Sequence, residues 1–570
     1  MDSKPSQWFR WKQEGDTHCQ NNKFLKAIEC YDQALKLVKT SKDAVSLFLD
    51  RSSARISFQA FDAALSDAAA ALNLPPGNKP PNDTNERGLS LTARALYGLR
   101  RFQECRDCLT KMINLYPGNK DALLSRCEKR LREEKCHYDW ASMLSEGQSP
   151  NPDMDRTTYI GPIEVRPCAI KSHGRGLFTT KDVEAGDLLL CEKAFSAAFA
   201  NKESSELEGD EKDEEALRLR AELATKTFVK LIRNPSLQSG FEELFPGPDT
   251  EEERDERGKI VVDDTFVQNR ITYNAFGFPL LTHLSHSKIT HHPSGLDTSA
   301  DSRGIWLRAS YINHSCYPLV RRSFIGEMMI FRAQADIPKD TELKFGYISC
   351  LEDVKTRTEL LAKYGFRCDC RVCEAERGTP KRKLEKREEI TRRIITLFEK
   401  EEPVGLHTYL ALLEQIGDTY TVPPTVEPRH AVVVPIMNII TGCQSVALHY
   451  QVIQLVHLVL QNLGFEFSIT QDSFRVHKWG FLIDELVMAL ADFCDAYIAL
   501  DEPLLLRDAE GVARKCYLIL CGEDVSWEAA YGGQSERAKE RSDGGEDVGS
   551  GERVEDLIDG VGGMRFAYGK

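Results

Sequence analysis

Apolar positions divide this chain into three stretches. Over roughly the first 135 residues they recur at helical spacing, in the middle they alternate as in strands, and beyond residue 380 helical spacing returns. In the first stretch Trp11, Gly15, His18, Ala27, Tyr31 and Ala34 fall at the offsets of a helix–turn–helix repeat of about 34 residues. Leu47, Ala54, Ala63, Ala70 and Pro75 repeat the register, and Leu89, Ala93, Leu96, Cys105, Leu109, Met112 and Pro117 repeat it again. Small residues at these positions let paired helices approach closely, and the prolines stop the second helix of a pair. A Pro-rich insertion over 75–85 separates the second and third copies, a capping helix is expected over 120–135, and 138–155 reads as a linker.

From about residue 160 the pattern predicts strands at 163–166 and 168–170, then a Gly turn at 173–178 and a turn followed by a strand over 181–192. Residues 201–215 are acidic with few apolar positions, which predicts a surface loop or disorder; 216–232 has helical spacing and 246–258 is a second acidic loop. Strands are expected over 324–333 and 342–347, around a turn at 337–340. Helices are expected at 390–398, 407–416, 433–463, 479–499 and near 508–521, and the Ser/Gly/Glu-rich stretch 533–563 is expected to be a disordered tail. The resulting fold class is α+β: helical domain 1–135, linker 136–160, β-rich domain 161–350 with an acidic and helical insert at about 200–270, a cysteine-rich segment 351–380, helical domain 381–530 and tail 531–570.

Composition narrows the function. A net charge of −14 argues against direct nucleic-acid binding through the overall field. The run 381–393 is basic, but Glu385, Glu388 and Glu389 interleave it, so it reads as a solvated helix face. No apolar window of about 18 residues predicts a membrane span, and the opening residues hold no apolar leader core. The 17 cysteines are scattered through helical patterns, as in a reduced, intracellular protein of the nucleus or cytoplasm. His283, His286, His291 and His292 cluster in a Ser/Thr-rich stretch without regular ligand spacing, so a solvated loop is expected there.

The chemistry-bearing stretch is 308–318, where Asn313, His314, Ser315 and Cys316 bring an amide, an imidazole, a hydroxyl and a thiol together between apolar flanks. Such a cluster is costly to bury unless its groups are bonded or ligated, so a polar turn and a built site compete. After fifty-one intervening residues, Cys316 is followed by Cys368, Cys370 and Cys373 in a CxCxxC arrangement. Four thiolates suit one tetrahedral zinc ion with no open position, which is a structural site.

These residues resemble the SET-domain protein methyltransferases, most closely the SMYD branch, in which the Cys after Asn-His-Ser joins a CxCxxC on one zinc. The resemblance implies a β-rich SET domain with a threaded pseudoknot, a post-SET zinc site at Cys316, Cys368, Cys370 and Cys373, and S-adenosyl-L-methionine as co-substrate. It implies methyl transfer to a lysine of a histone or other protein. Gly174, Arg175 and Gly176 would lie on the cofactor side, with Asn274, Asn313, His314, Tyr347 and Phe366 as further cofactor contacts. Tyr347 takes the family's catalytic tyrosine position, and Tyr364 would shape the lysine channel. The chain departs from the family at Leu319, usually Asn, and at 340–342, where Asp-Thr-Glu replaces Gly-Glu-Glu. No cysteine occurs between Cys191 and Cys316, so the family's MYND finger is expected to be absent. The N-terminal copies resemble tetratricopeptide repeats, which bind peptides or proteins on a concave face. Of the carboxylate clamp of that family's chaperone-binding subclass, Lys12 and Arg94 match, but Asp16 and Asp50 replace its Asn positions and Ser90 a Lys. Two carboxylates facing a C-terminal carboxylate would repel it, so that clamp is not expected to work in the usual way. The rival reading is a repeat adaptor whose SET domain has weak or no activity.

Overall fold

The structure, a computed structural model, describes residues 6–73, 82–116, 122–169, 174–201, 207, 209–248, 250–291, 302–349, 352–398 and 405–532. Helices α1 (Gln7–Gln20), α2 (Phe24–Leu37), α3 (Ser41–Ser57), α4 (Phe61–Leu72), α5 (Asn82–Gly98), α6 (Phe102–Leu115) and α7 (Ala122–Glu133) pack each against the next in chain order. The repeat positions Ala27, Tyr31, Ala34, Leu47 and Ala54 are buried, but in α4 the packed face lies one residue on from the one expected: Ala63 is half-buried and Ala70 exposed. Ala64, Ala68 and Ala71 are buried there instead. A Cβ on Gly15 would come within 2.7 Å of the Tyr31 ring, and one on Gly88 within 2.7 Å of Leu72. Glycine lets the helices approach this closely without moving those side chains. Pro75, Pro117 and most of the Pro-rich insertion lie outside the described residues.

The stretch expected to be a linker is instead folded, with one apolar face buried. Helix α8 (Trp140–Gly147) starts at Asp139, whose carboxylate accepts from the Ser142 N–H at 3.1 Å. Tyr138, Met143, Leu144 and Met154 share one apolar core with Leu188, Cys191, Ile325, Met328 and Ile330. The interspersed Pro, Ser and Gly residues read as linker composition and masked this short amphipathic segment.

The middle of the chain is the β-rich part, with strands β1 (Tyr159–Ile160), β2 (Ile163–Pro167), β3 (Arg175–Thr179), β4 (Leu188–Lys193) and β5 (Ser196–Ala198). After these come α9 (Asp210–Arg233), α10 (Gln238–Glu242), α11 (Asp264–Asn274), β6 (Ala275–Phe278), α12 (Thr282–His291), β7 (Ser302–Ile305), β8 (Asn313–His314), β9 (Val320–Ile325), β10 (Met328–Ala333) and β11 (Lys344–Phe345). The largest sheet has the antiparallel order β1-β4-β10-β9, beside β2-β3, β5-β7-β6 and the parallel pair β8-β11. The single strand expected over 324–333 is the end of β9 plus β10, folded into a hairpin at Gly326 (φ 55°). Every residue of β10 is buried, so polar alternation gave no cue to the turn. Helix α9 starts at Asp210, inside the stretch expected to be a loop. Asp210, Glu211 and Asp213 occupy its first turn, where acidic groups suit the helix dipole.

Helices α13 (Val354–Ala362), α14 (Arg371–Gly378), α15 (Lys381–Phe398), α16 (Leu406–Gly417), α17 (His430–Ser445), α18 (His449–Asn462), α19 (Glu485–Ala499) and α20 (Pro503–Cys521) complete the chain, with a hairpin of β12 (Glu466–Ile469) and β13 (Phe474–Lys478). The helix expected over 433–463 breaks at Ala447 (φ 58°); apolar spacing runs on through the break and hides it. The β12–β13 hairpin was not foreseen: Phe467, Ile469, Phe474 and Val476 alternate with polar residues and pack on the C-terminal core, but each strand is only four or five residues long, too short for the alternation to stand out. His286, expected in a solvated loop, is buried in α12; its ring nitrogens lie 3.3 Å from Asp484 and 3.0 Å from the Tyr531 hydroxyl. His292 and the tail beyond 532 lie outside the described residues.

The outer helices dock on the β-rich part differently. On the N-terminal side, Asn234 accepts from the Phe61 N–H at 2.8 Å and donates to Gln59 O at 3.0 Å, capping α4 from outside. Asp62 accepts in return from the Ser236 N–H and hydroxyl at 2.7 and 2.8 Å. On the C-terminal side, Arg332 donates to the carbonyls of Gly522 and Gly186, each at 2.9 Å. Among the described residues no helix is long and apolar enough to cross a membrane.

Candidate active site and metal centre

Two features build the site around residues 308–316. Glu192 of β4 is buried, and its carboxylate oxygens accept from the Arg308 and Ala309 N–H groups at 2.9 Å each, fixing the turn that leads into Asn313. Burial pushes this carboxyl up to about 7 against the pull of those donors. Beyond the turn, β8 pairs in parallel with β11, placing Asn313 beside Lys344 and His314 beside Phe345. The Ser315 N–H extends the pairing to Phe345 O at 3.0 Å, and Leu319 N–H reaches Lys344 O at 2.9 Å. Leu319 thus holds its place by backbone, without the amide side chain expected there. Because β9 and β10 lie between the two paired segments in sequence, the chain must loop out and return, the crossing that a threaded segment requires.

On one side of β8, the Asn313 amide nitrogen donates to Glu342 Oε1 at 2.8 Å and lies 3.3 Å from both Cys168 Sγ and Arg175 O. Gly176 completes this cluster: a Cβ there would meet Glu342 Oε1 at 2.9 Å and Cys168 Sγ at 3.0 Å. Gly174 (φ 64°) turns the chain in the left-handed region, with open space where a Cβ would stand. The Arg175 side chain points away from Asn313. Its guanidinium pairs with Glu243 at 3.0 Å and lies over the Tyr311 ring at 4.9 Å, while the Tyr311 hydroxyl donates to the same carboxylate at 3.1 Å.

On the other side stand the aromatic residues. The Tyr347 N–H donates to His314 Nδ1 at 3.0 Å, and the Tyr347 hydroxyl to Ile312 O at 2.9 Å. His314 Nε2 lies 3.2 Å from Cys316 Sγ, so this imidazole links the tyrosine to the thiols. The Tyr347 ring lies 5.2 Å from His314, 5.5 Å from Tyr364 and 6.4 Å from Phe366. Tyr364 is exposed, whereas burial drives the Tyr347 phenol well above its ordinary value. Asn274 stands apart from both groups: its amide nitrogen is spent on Arg270 O at 2.7 Å and Phe245 O at 2.8 Å, closing the end of α11.

The four expected thiols converge. One sulfur each from Cys316, Cys368, Cys370 and Cys373 lies within 4.8 Å of every other, and three of these residues are buried. Four thiols at that separation, with no oxygen or nitrogen donor in the group, fit a soft tetrahedral ion. Arg357 supports the cluster from α13. Its guanidinium pairs with Glu376 at 2.6 Å and lies 3.7 Å from Cys373 Sγ. Sequence reasoning passed over Glu192, Cys168, Glu342, Glu243 and Arg357. Glu342 was met only as the end of the altered 340–342 turn, the others stand in no recognisable spacing, and only the long-range pairing brings them to the site.

A SET domain matches residues 174–348. The β-rich core and its site are therefore those of a SET domain. Among curated proteins it is similar to a "Methyltransferase" of Gibberella zeae, 29% identical over 553 residues, covering 90% of this chain and 73% of that protein. It is 36% identical over 85 residues to the "Potential protein lysine methyltransferase SET6" of Saccharomyces cerevisiae, covering 14% of this chain and 23% of that protein. It is also 26% identical over 133 residues to "Protein unc-45 homolog B" of Xenopus laevis, covering 23% of this chain and 14% of that protein.

Proposed function

We propose that this chain is an S-adenosyl-L-methionine-dependent protein-lysine N-methyltransferase whose post-SET segment is pinned by a structural zinc ion. The observation that carries the reading is the convergence, on the two sides of the β8–β11 pair, of the Asn313 cluster and the His314–Tyr347–Tyr364–Phe366 aromatic group. The methyltransferase names of the relatives in Gibberella zeae and Saccharomyces cerevisiae support it. Bound S-adenosylmethionine supplies the methyl group. Asn313 and His314 hold it together with the Gly174–Arg175–Gly176 turn and Phe366; Asn274 acts one step removed, by closing α11.

A lysine ammonium, with an ordinary pKa of about 10.4, must lose its proton before its nitrogen can attack. An amine brought against the Tyr347, Tyr364 and Phe366 rings would lose water, which disfavours its charged form. Tyr347 is no base here: its phenol keeps its proton at neutral pH and is already committed to Ile312 O. Its role is to orient the amine beside backbone carbonyls, which is catalysis by positioning. The four thiolates of Cys316, Cys368, Cys370 and Cys373 hold zinc, which ties the segment carrying Tyr364 and Phe366 to Asn313 and His314. The proposed division is repeats to about 135, SET core 161–350, zinc segment 351–380 and helical domain 381–530. The partners are a lysine-bearing protein substrate, histone or other, and a peptide or protein on the repeats.

Isothermal titration of S-adenosylmethionine into zinc-replete protein, beside Asn313→Ala, tests the reading. Binding that the variant weakens roughly 10- to 100-fold is expected for a hydrogen bond to a charged ligand. Absence of binding to the intact, zinc-loaded protein would leave the repeat adaptor as the function.

A further inference from the structure

The Asn313 amide is held by its nitrogen. Glu342 Oε1, Cys168 Sγ and Arg175 O surround Nδ2 at 2.8, 3.3 and 3.3 Å, and among the described residues no donor reaches Oδ1. An amide group has nearly the same shape with nitrogen and oxygen exchanged, so its orientation is decided by its neighbours. Of the three neighbours the carboxylate is the strongest acceptor. Its own position is set by three further contacts. Its other oxygen, Oε2, pairs with Lys344 at 3.2 Å, the Cys168 thiol donates to Oε1 at 3.4 Å, and its backbone bridges to Phe178 of β3. Burial alone would raise the Glu342 carboxyl, but the Asn313 and Lys344 contacts outweigh it and hold the group below its ordinary range. The space that a side chain on residue 176 would need is taken by this arrangement.

We propose that Glu342 is a positioning residue: it locks the Asn313 amide nitrogen-inward, so that Oδ1 is presented as an acceptor for the α-ammonium group of the methyl donor. This rests on the methyl-transfer reading above. The ligand group follows from the chemistry of the pair. An amide oxygen backed by a nearby carboxylate favours a cationic N–H donor over a neutral group or an anion. Without Glu342 the amide can turn over and present its own N–H groups to that ammonium, which they would repel.

The experiment is a ligand cycle by calorimetry on full-length, zinc-loaded protein. Its probes are S-adenosylhomocysteine and the analogue lacking only the α-amino group. The intact protein is expected to prefer the amino-bearing ligand by about tenfold or more, the worth of one charged hydrogen bond. Glu342→Ala is expected to bring that ratio close to one. Glu342→Gln keeps an acceptor oxygen of the same shape and should lower the ratio only a few-fold. A structural loss would weaken both ligands alike and leave the ratio unchanged in Glu342→Ala, which overturns the proposal. Should the alanine variant fail to fold, an unaltered ratio in Glu342→Gln overturns it equally. Failure of the intact protein to bind S-adenosylhomocysteine sinks the methyl-transfer reading itself, a result distinct from binding with an unchanged ratio.

Discussion

The thiol cluster and the face of the first repeats both carry a recognisable ligand-binding pattern, and the structure treats them in opposite ways. At Cys316, Cys368, Cys370 and Cys373 the potential donors converge with no counter-charge among themselves, and three are buried. On the repeats, Lys12 is already paired with Asp16 at 2.8 Å and with Asp50 at 3.1 Å. Asp50 in turn pairs with Arg87 at 2.7 Å, and Asp16 accepts from the Tyr31 hydroxyl at 2.8 Å. A set of like groups brought together invites a ligand to complete it. A set of opposite charges brought together completes itself, and a ligand must first break it apart.

The largest effect should come from breaking the first set. Cys368→Ser, or removal of metal by a strong chelator, is expected to take bound zinc from about one per chain to near none. Methyl transfer should fall roughly 100-fold or more with it, since metal affinity and folding of the arm are one free energy. Metal analysis beside an activity assay checks this, and full zinc retention by Cys368→Ser would show that the four thiols do not act as one site.

Glu192 lies between the two extremes, a buried carboxyl answered by backbone donors and by the charge of Arg308. Its carboxyl is raised in the fold, to about 7 from 4.5. The stability this gives belongs to the protonated form. It is fully present below the ordinary carboxyl range and is lost as pH climbs toward 7, about 3 kcal/mol in all. Glu192→Gln should therefore flatten the pH dependence of unfolding between roughly 4.5 and 7. Urea titrations of the two proteins across that range would reveal it, and parallel curves would count against the assignment.

The smallest effect is expected on the repeats. The intact chain should ignore a short peptide ending in acidic residues. Asp16→Asn combined with Asp50→Asn, which restores the amides of the resembled clamp, should gain affinity by about tenfold or less, because partly exposed ion pairs are worth up to about 1 kcal/mol each. Fluorescence anisotropy with the labelled peptide measures this. Tight binding by the unaltered protein would mean that Lys12 is free in solution.

What the sequence disclosed follows the range of the interactions involved. Helix pairs and the thiol set were legible because their signals are local: small residues at crossing points, four cysteines at zinc spacing. The aromatic group at Tyr347, Tyr364 and Phe366 was reached by register with a known family rather than by any physical signal in those residues. Glu342 stayed hidden because its meaning depends on Asn313 and Cys168, which reach it only once β2, β3, β8 and β11 are assembled. Asn274 shows the converse. Its motif was read at once from the resemblance, while the bonds of its amide nitrogen to Arg270 O and to Phe245 O, outside α11, came only with the fold. The burial of Met143 and Leu144 in a stretch of linker-like composition was likewise invisible until β9 and β10 were there to cover them.

The parallel pairing of β8 with β11 has a consequence for how the molecule is made. A parallel contact cannot zip up from a tight turn. Bringing 344–345 back beside 313–314 closes a loop that contains the whole β9–β10 hairpin, a non-local contact of the slow-forming kind. The repeats rest on neighbour contacts and can form early, so the pocket should be the slowest part of the chain to appear. During refolding, helical signal should then return well before any capacity to bind S-adenosylhomocysteine, and a nascent chain would be a folded scaffold before it was an enzyme.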